Sequence, residues 1–191
     1  MTNPSFDAAR DAVTRTVREH WKLFLIEGII LVILGLFAVA LPLLAGLAVT
    51  ILFGWLFLIS GAVGLVTTFA MRQAPGFWWS LISAVLGIVV GVLLLVQPGV
   101  GLVSLTYVLI AFFIVEGVVT IMFALEHRRQ LTGRWGWMLT SGVVDLFLAL
   151  TILAGLPGSV GWALGLIVGI NMVFGGASMI GMALSARSEM P

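Results

Sequence analysis

Charge is scarce in this sequence and cysteine is missing. Only 9% of the 191 residues are Asp, Glu, Lys or Arg, against about 25% in an ordinary soluble domain. Hydrophobic residues make up 61%, and the mean hydropathy is +1.23. A water-soluble globular chain is excluded, and a polytopic membrane protein is indicated. Without cysteine there are no disulfides, no thiolate metal sites and no cysteine nucleophile. The two histidines, His20 and His127, lie far apart and without clustered carboxylates, so no metal site is expected. Neither a GxxxxGK[ST] phosphate loop nor a GxSxG nucleophile elbow occurs. Serines such as Ser60, Ser83 and Ser141 have no histidine at their depth to act as a base. No enzyme activity, cofactor or nucleic-acid partner is expected. The short basic stretch EHRRQLTGR flanks membrane spans and suits anionic lipid heads better than nucleic acid.

What the chain has in quantity is long apolar runs. About 20 mostly apolar residues cross roughly 30 Å of hydrocarbon, and six segments qualify: 22–41, 46–70, 78–97, 100–124, 135–154 and 160–184. The expected fold is all-α, with six transmembrane helices in three hairpins. Their separators alternate between uncharged turns (PLLAG, QPGV, LPGSVG) and longer charged ones (MRQAPGF, EHRRQLTGRW). All nine basic residues fall on one side: Arg10, Arg15, Arg18, Lys22, Arg72, Arg128, Arg129, Arg134 and Arg187. By the positive-inside rule that side is the cytoplasm, with both termini there. Trp21, Trp78, Trp79, Trp135 and Trp137 stand at the cytoplasmic starts of the odd-numbered spans, at headgroup depth. Residues 1–20 lack a cleavable signal pattern. Asn3 can cap a helix starting at Pro4, on which Phe6, Ala9, Val13, Val17 and Trp21 form an apolar stripe. This short amphipathic helix lies on the membrane surface or packs on the protein's own loops. Residues 185–191 form a cytoplasmic tail.

The uncharged turns share a proline, Pro42, Pro98 and Pro157, and the flanking sequences match around it. Gly35 and Gly91 each precede their proline by seven residues, and Ala149 takes that place in the third unit, which needs one extra residue. Gly61, Gly117 and Gly176 each follow by nineteen; Gly54 and Gly169 agree at twelve, where Ile110 differs. Three parallel repeats with a period near 57 residues follow, spanning about 21–70, 77–124 and 135–184. Gly161, Gly165, Gly169 and Gly176 make a small-residue stripe on the sixth span, and Gly87 with Gly91 a shorter one on the third. Such stripes allow helices to approach closely, within one chain or between copies in a homo-oligomer.

Paired spans with this glycine and proline phase, carried best by Trp21, Glu27, Gly28, Gly35, Pro42, Gly54 and Gly61, resemble the HdeD-type acid-resistance membrane proteins of bacteria. The second copy, with Ser83 and Ala84 replacing the acid and glycine, and with Ile110, fits less closely. The resemblance covers essentially the whole chain. It implies an inner-membrane protein linked to survival at low pH and high cell density, and it supplies no catalytic residues.

Glu27, Glu116 and Asp145 are the ionisable groups well inside the spans. Facing lipid in charged form, each would cost about 2.5–3.5 kcal/mol at a helix centre. They are therefore expected to face the bundle interior or to hold a proton, and Glu27 is close enough to Lys22 or Trp21 to meet them. Asp145 lies twelve residues before Pro157 and Asn171 fourteen after it, so an Asp145–Asn171 hydrogen bond is expected. Two functions fit these groups. One is a non-enzymatic acid-stress protein, reinforcing the membrane or responding to pH through its carboxyls. The other is a small transporter or channel for protons or a small solute, with a polar path past Asp145, Asn171 and Glu116.

Overall fold

The computed structural model describes residues 21–72, 75–128 and 135–188. The N-terminal helix expected over 1–20, the basic residues Arg129 and Arg134, and the end of the C-terminal tail lie outside the described residues. Six long helices make up what is described: α1 (Trp21–Ala40), α2 (Pro42–Ala70), α3 (Phe77–Val96), α4 (Pro98–Glu126), α5 (Trp135–Ala154) and α6 (Ala163–Ser188), with a 3₁₀ turn at Gly158–Gly161 before α6. Each is apolar over most of its circumference, as a helix surrounded by hydrocarbon is expected to be. Residues such as Phe37, Leu44, Trp78, Phe147 and Phe174 accordingly stand exposed.

The prolines start helices where breaks were expected. Pro42 and Pro98 open α2 and α4, where the missing N–H has no intrahelical partner to lose. Most of PLLAG and QPGV is thereby helical, leaving only Leu41 and Gln97 between helices. The third turn is longer. There the buried Ser159 donates its Oγ–H to the Ile152 carbonyl at 2.6 Å, satisfying an acceptor in the last turn of α5.

Two compact units result. One is built on α1 and most of α6, and the other on Leu43–Gly165. Within the first, α1 and α6 meet glycine to glycine. A methyl placed on Gly28 would stand 2.8 Å from the Gly176 oxygen, and one on Gly35 would stand 2.8 Å from the Gly169 oxygen. Within the second, a methyl on Gly61 of α2 would stand 2.8 Å from the Ala84 oxygen of α3, and one on Gly91 would stand 2.8 Å from the Gly54 oxygen. Gly117 of α4 and Gly142 of α5 face each other's carbonyls in the same way, again at 2.8 Å. At the remaining equivalent positions stand Ile110 and Ala149, both buried.

Each helix therefore carries two close-contact positions seven residues apart: 28 and 35, 54 and 61, 84 and 91, 110 and 117, 142 and 149, 169 and 176. Seven residues are two turns at 3.5 per turn, the spacing that keeps one seam facing a partner helix. The tight contacts run between neighbouring repeats (α2·α3 and α4·α5) and between the first and last helices (α1·α6). Where two helices share a proline turn, the tight approach is of glycine to side chain: a methyl on Gly101 of α4 would stand 2.6 Å from the Leu94 side chain of α3.

Two glycines depart from the expected stripe. Gly161 lies in the 3₁₀ turn, and a methyl there would have nothing within 4 Å, so it packs no helix. Gly165 is buried near Gly46: a methyl on Gly46 would stand 3.7 Å from the Gly165 nitrogen.

These distances separate two kinds of glycine. Gly35→Val should destabilise the protein by about 1–3 kcal/mol through overpacking, whereas Gly161→Ala should stay within about 0.5 kcal/mol of wild type. Unfolding in mixed micelles by titrated denaturing detergent reads both. Equal losses would show that the seam contacts are not what hold the helices.

Candidate functional site

In an apolar chain the polar groups are the places where chemistry is possible, and most of them are committed to their own helices. Thr50 and Thr106, both fully buried at the same repeat position, donate to the carbonyls of Gly46 and Leu102 at 2.8 Å. Thr140, Thr151 and Ser178 likewise donate one turn back. Such bonds satisfy a hydroxyl in hydrocarbon and leave it with no reactive role.

The three carboxyls expected to face the bundle interior or to hold a proton differ in exposure. Glu27 and Glu116 are exposed, and Asp145 is half-buried. The reason is local: Gly28 and Gly117 occupy the contact faces, and a residue one step away is turned about 100° around the helix. Only a side chain without bulk fits a seam where an added methyl would meet a carbonyl at 2.8 Å, so the acids are held at its edge. The Asn171 amide donates from Nδ2 to the Ile167 carbonyl of its own helix at 3.0 Å. Lys22 lies with its Nζ 5.7 Å from the Trp21 ring centroid, a cation–π contact at the start of α1.

Between α2 and α3 the seam opens into a groove of about 380 Å³. Ser60 and Gly64 of α2 face Ser80, Ser83 and Gly87 of α3 across it. At one end Thr68 Oγ1 and Ser80 Oγ share a hydrogen bond of 2.9 Å, a side-chain tie across the seam. A smaller cavity of about 140 Å³ continues from it under the α2–α3 connector, lined by Thr67, Met71, Gly76 and Phe77. Phe77 stands edge-on to Phe69 (6.3 Å) and Trp78 (5.5 Å), and Arg72 Nε donates to the Phe69 carbonyl at 3.1 Å. Sequence reasoning singles out Ser60 and Ser83 but misses the Thr68–Ser80 tie. The available signal is their spacing of twelve residues across a connector that brings the two helix ends together.

Six helices long and apolar enough to cross a membrane, paired through seams of one repeated register, define a multi-pass membrane protein built from an internal repeat. The family described as a short repeat of unknown function (DUF308) matches the chain twice, at residues 26–96 and 82–154, offset by one repeat. The chain belongs to this family and is of its HdeD type. Protein HdeD of Escherichia coli strain K12, of Escherichia coli O157:H7 and of Shigella flexneri is in each case 26% identical over 170 residues, covering 87% of this chain and 88% of the relative. No solved structure matches.

The Thr68–Ser80 tie can be weighed by a double-mutant cycle with Thr68→Ala and Ser80→Ala. Coupling of about 0.6 kcal/mol is expected, the average for such bonds in membranes. Strict additivity would show that the hydroxyls do not hold α2 to α3.

Proposed function

We propose that this chain is a non-enzymatic inner-membrane protein of the acid-stress type, which packs within the bilayer and responds to pH through its membrane-depth carboxyls. The observation that carries this reading is the placement of Glu27 and Glu116, each on an exposed helix face one residue from a glycine that its partner helix touches. A charge there is costly in hydrocarbon, and a proton removes it. Protonation thus acts directly beside the contacts that hold helices together. The likeness to HdeD proteins, read with the acid resistance implied by the family resemblance, supports the same physiological setting. The basic groups Lys22, Arg72 and Arg128 at one set of helix ends support a cytoplasmic location for both termini, with anionic lipid heads as their partners.

Two measurements test this. Expressed in an acid-sensitive bacterial host, the wild-type chain should raise survival of an acid challenge, and the triple variant Glu27→Gln, Glu116→Gln, Asp145→Asn should lose the pH dependence of its conformation while remaining folded. In vesicles carrying an internal pH dye, the wild type should pass protons no faster than empty vesicles. Proton flux that stops in Glu116→Gln or Asp145→Asn would replace this reading with a transport one.

A further inference from the structure

Across the α2·α3 seam the contacts of Gly61 with Ala84 and Ile88 put Ser60 level with Gly87, and both line the groove. The α4·α5 seam has the same register: Gly117 stands to the Gly142 oxygen as Gly61 stands to the Ala84 oxygen, an added methyl lying at 2.8 Å in each case. Counted from the prolines, Ser60 and Glu116 are both eighteen residues past. Gly87 is eleven residues before Pro98 and Asp145 is twelve before Pro157, the difference being the extra residue of the third unit. By register, Glu116 and Asp145 therefore take the places along the α4·α5 seam that Ser60 and Gly87 hold along α2·α3, level with each other.

The burial pattern agrees. A Cβ on Gly87 would lie 3.4 Å from the Gly61 Cα and 3.5 Å from the Phe57 oxygen, in ordinary contact with the opposite helix. A side chain at that position is partly covered, as Asp145 is, whereas the Ser60 position is open, as Glu116 is. Among the described residues no basic group lies on the helices of this seam, and His127 and Arg128 stand just past the C-terminal end of α4, ten or more residues from Glu116. Neither α3, α4, α5 nor the 3₁₀ turn contains Lys, Arg or His. The other titratable groups on these elements are Tyr107, nine residues before Glu116, and Glu126, at the far end of α4.

Resting on the pH-responsive reading above, we propose that Glu116 and Asp145 are a proton-sharing carboxyl pair that tightens α4 against α5 as the pH falls. Two negative charges level across a seam in hydrocarbon repel each other and lose their hydration. One proton between them makes a charge-assisted O–H···O⁻ hydrogen bond, and a second removes the charge altogether. The sign is opposite to ordinary acid unfolding, in which protonation breaks pairs that the folded state needs. Glu27 has no such partner: the α1·α6 register sets Met179 level with it, and Gly175 occupies the position equivalent to Glu116.

The test is an infrared titration of the full chain in phosphatidylethanolamine–phosphatidylglycerol vesicles, following the C=O stretch of protonated carboxyls. Asp145→Asn should move the titration of Glu116 by about one pH unit or more, the mark of coupled groups. Glu27→Gln should remove its own signal and leave the other titration where it was. An unchanged Glu116 midpoint in Asp145→Asn overturns the pair. If that variant does not fold, carboxyl-13C-aspartate labelling of the wild type separates the Asp145 band. The glutamate band should then shift as the aspartate titrates, and a band that stays still overturns the pair equally. Acid survival by the wild type alongside uncoupled carboxyls would remove this pair and leave the broader function standing.

Discussion

Everything in this fold depends on backbones approaching one another closely enough for the helices to gain packing that lipid cannot supply. Between helices in hydrocarbon there is no hydrophobic drive, because a lipid tail is as apolar as leucine. Association then rests on the many small dispersion contacts made when two helices come together without side chains in between. Pairs such as Gly28 with Gly176, Gly54 with Gly91 and Gly117 with Gly142 do this, and a Cβ at any of them would meet a carbonyl oxygen or a side chain of the opposite helix at or below 3.3 Å. Ile110 and Ala149, both buried, hold the equivalent positions in α4 and α5.

That constraint also decides where polarity can go. A seam of touching backbones has no room for a carboxyl, and a face turned fully to lipid has nothing to satisfy one. The remaining place is the edge, one residue from a seam glycine, and Glu27 and Glu116 both sit there. Hydroxyls have a further option, since Thr50 and Thr106 can be buried outright by bonding the preceding turn of their own helix. A carboxylate has only acceptors, so it cannot bond a backbone carbonyl unless it carries a proton. The difference between these threonines and glutamates is therefore one of chemistry as well as depth.

Much of this is legible in the sequence, for physical reasons. The spans follow from length and hydropathy, and the repeat follows from prolines and glycines that hold one phase from unit to unit. Partner choice is harder to read. A proline turn suggests that the helices it joins pack tightly, yet the glycines seven residues apart match helices across the longer connectors and, for α1 and α6, across most of the chain. Periodicity reports which face of a helix is small, not which helix it meets. For the same reason depth pairs Asp145 with Asn171 inside its own hairpin. Depth alone leaves the partner open.

The two sequence matches to the repeat family make sense in these terms. Each is longer than one repeat: residues 26–96 run from α1 to the end of α3, and 82–154 from α3 to the end of α5. A single proline hairpin contains two half-seams and no complete one, so its seam glycines need another helix to cover them. Extending it by one helix adds a whole seam, α2·α3 in the first match and α4·α5 in the second. Repeat architectures generally need neighbours to cover faces that one unit leaves open. Here the last open faces, those of α1 and α6, are covered by each other. With three repeats in one chain, each of the six described helices has a small-residue seam with another helix of the same chain.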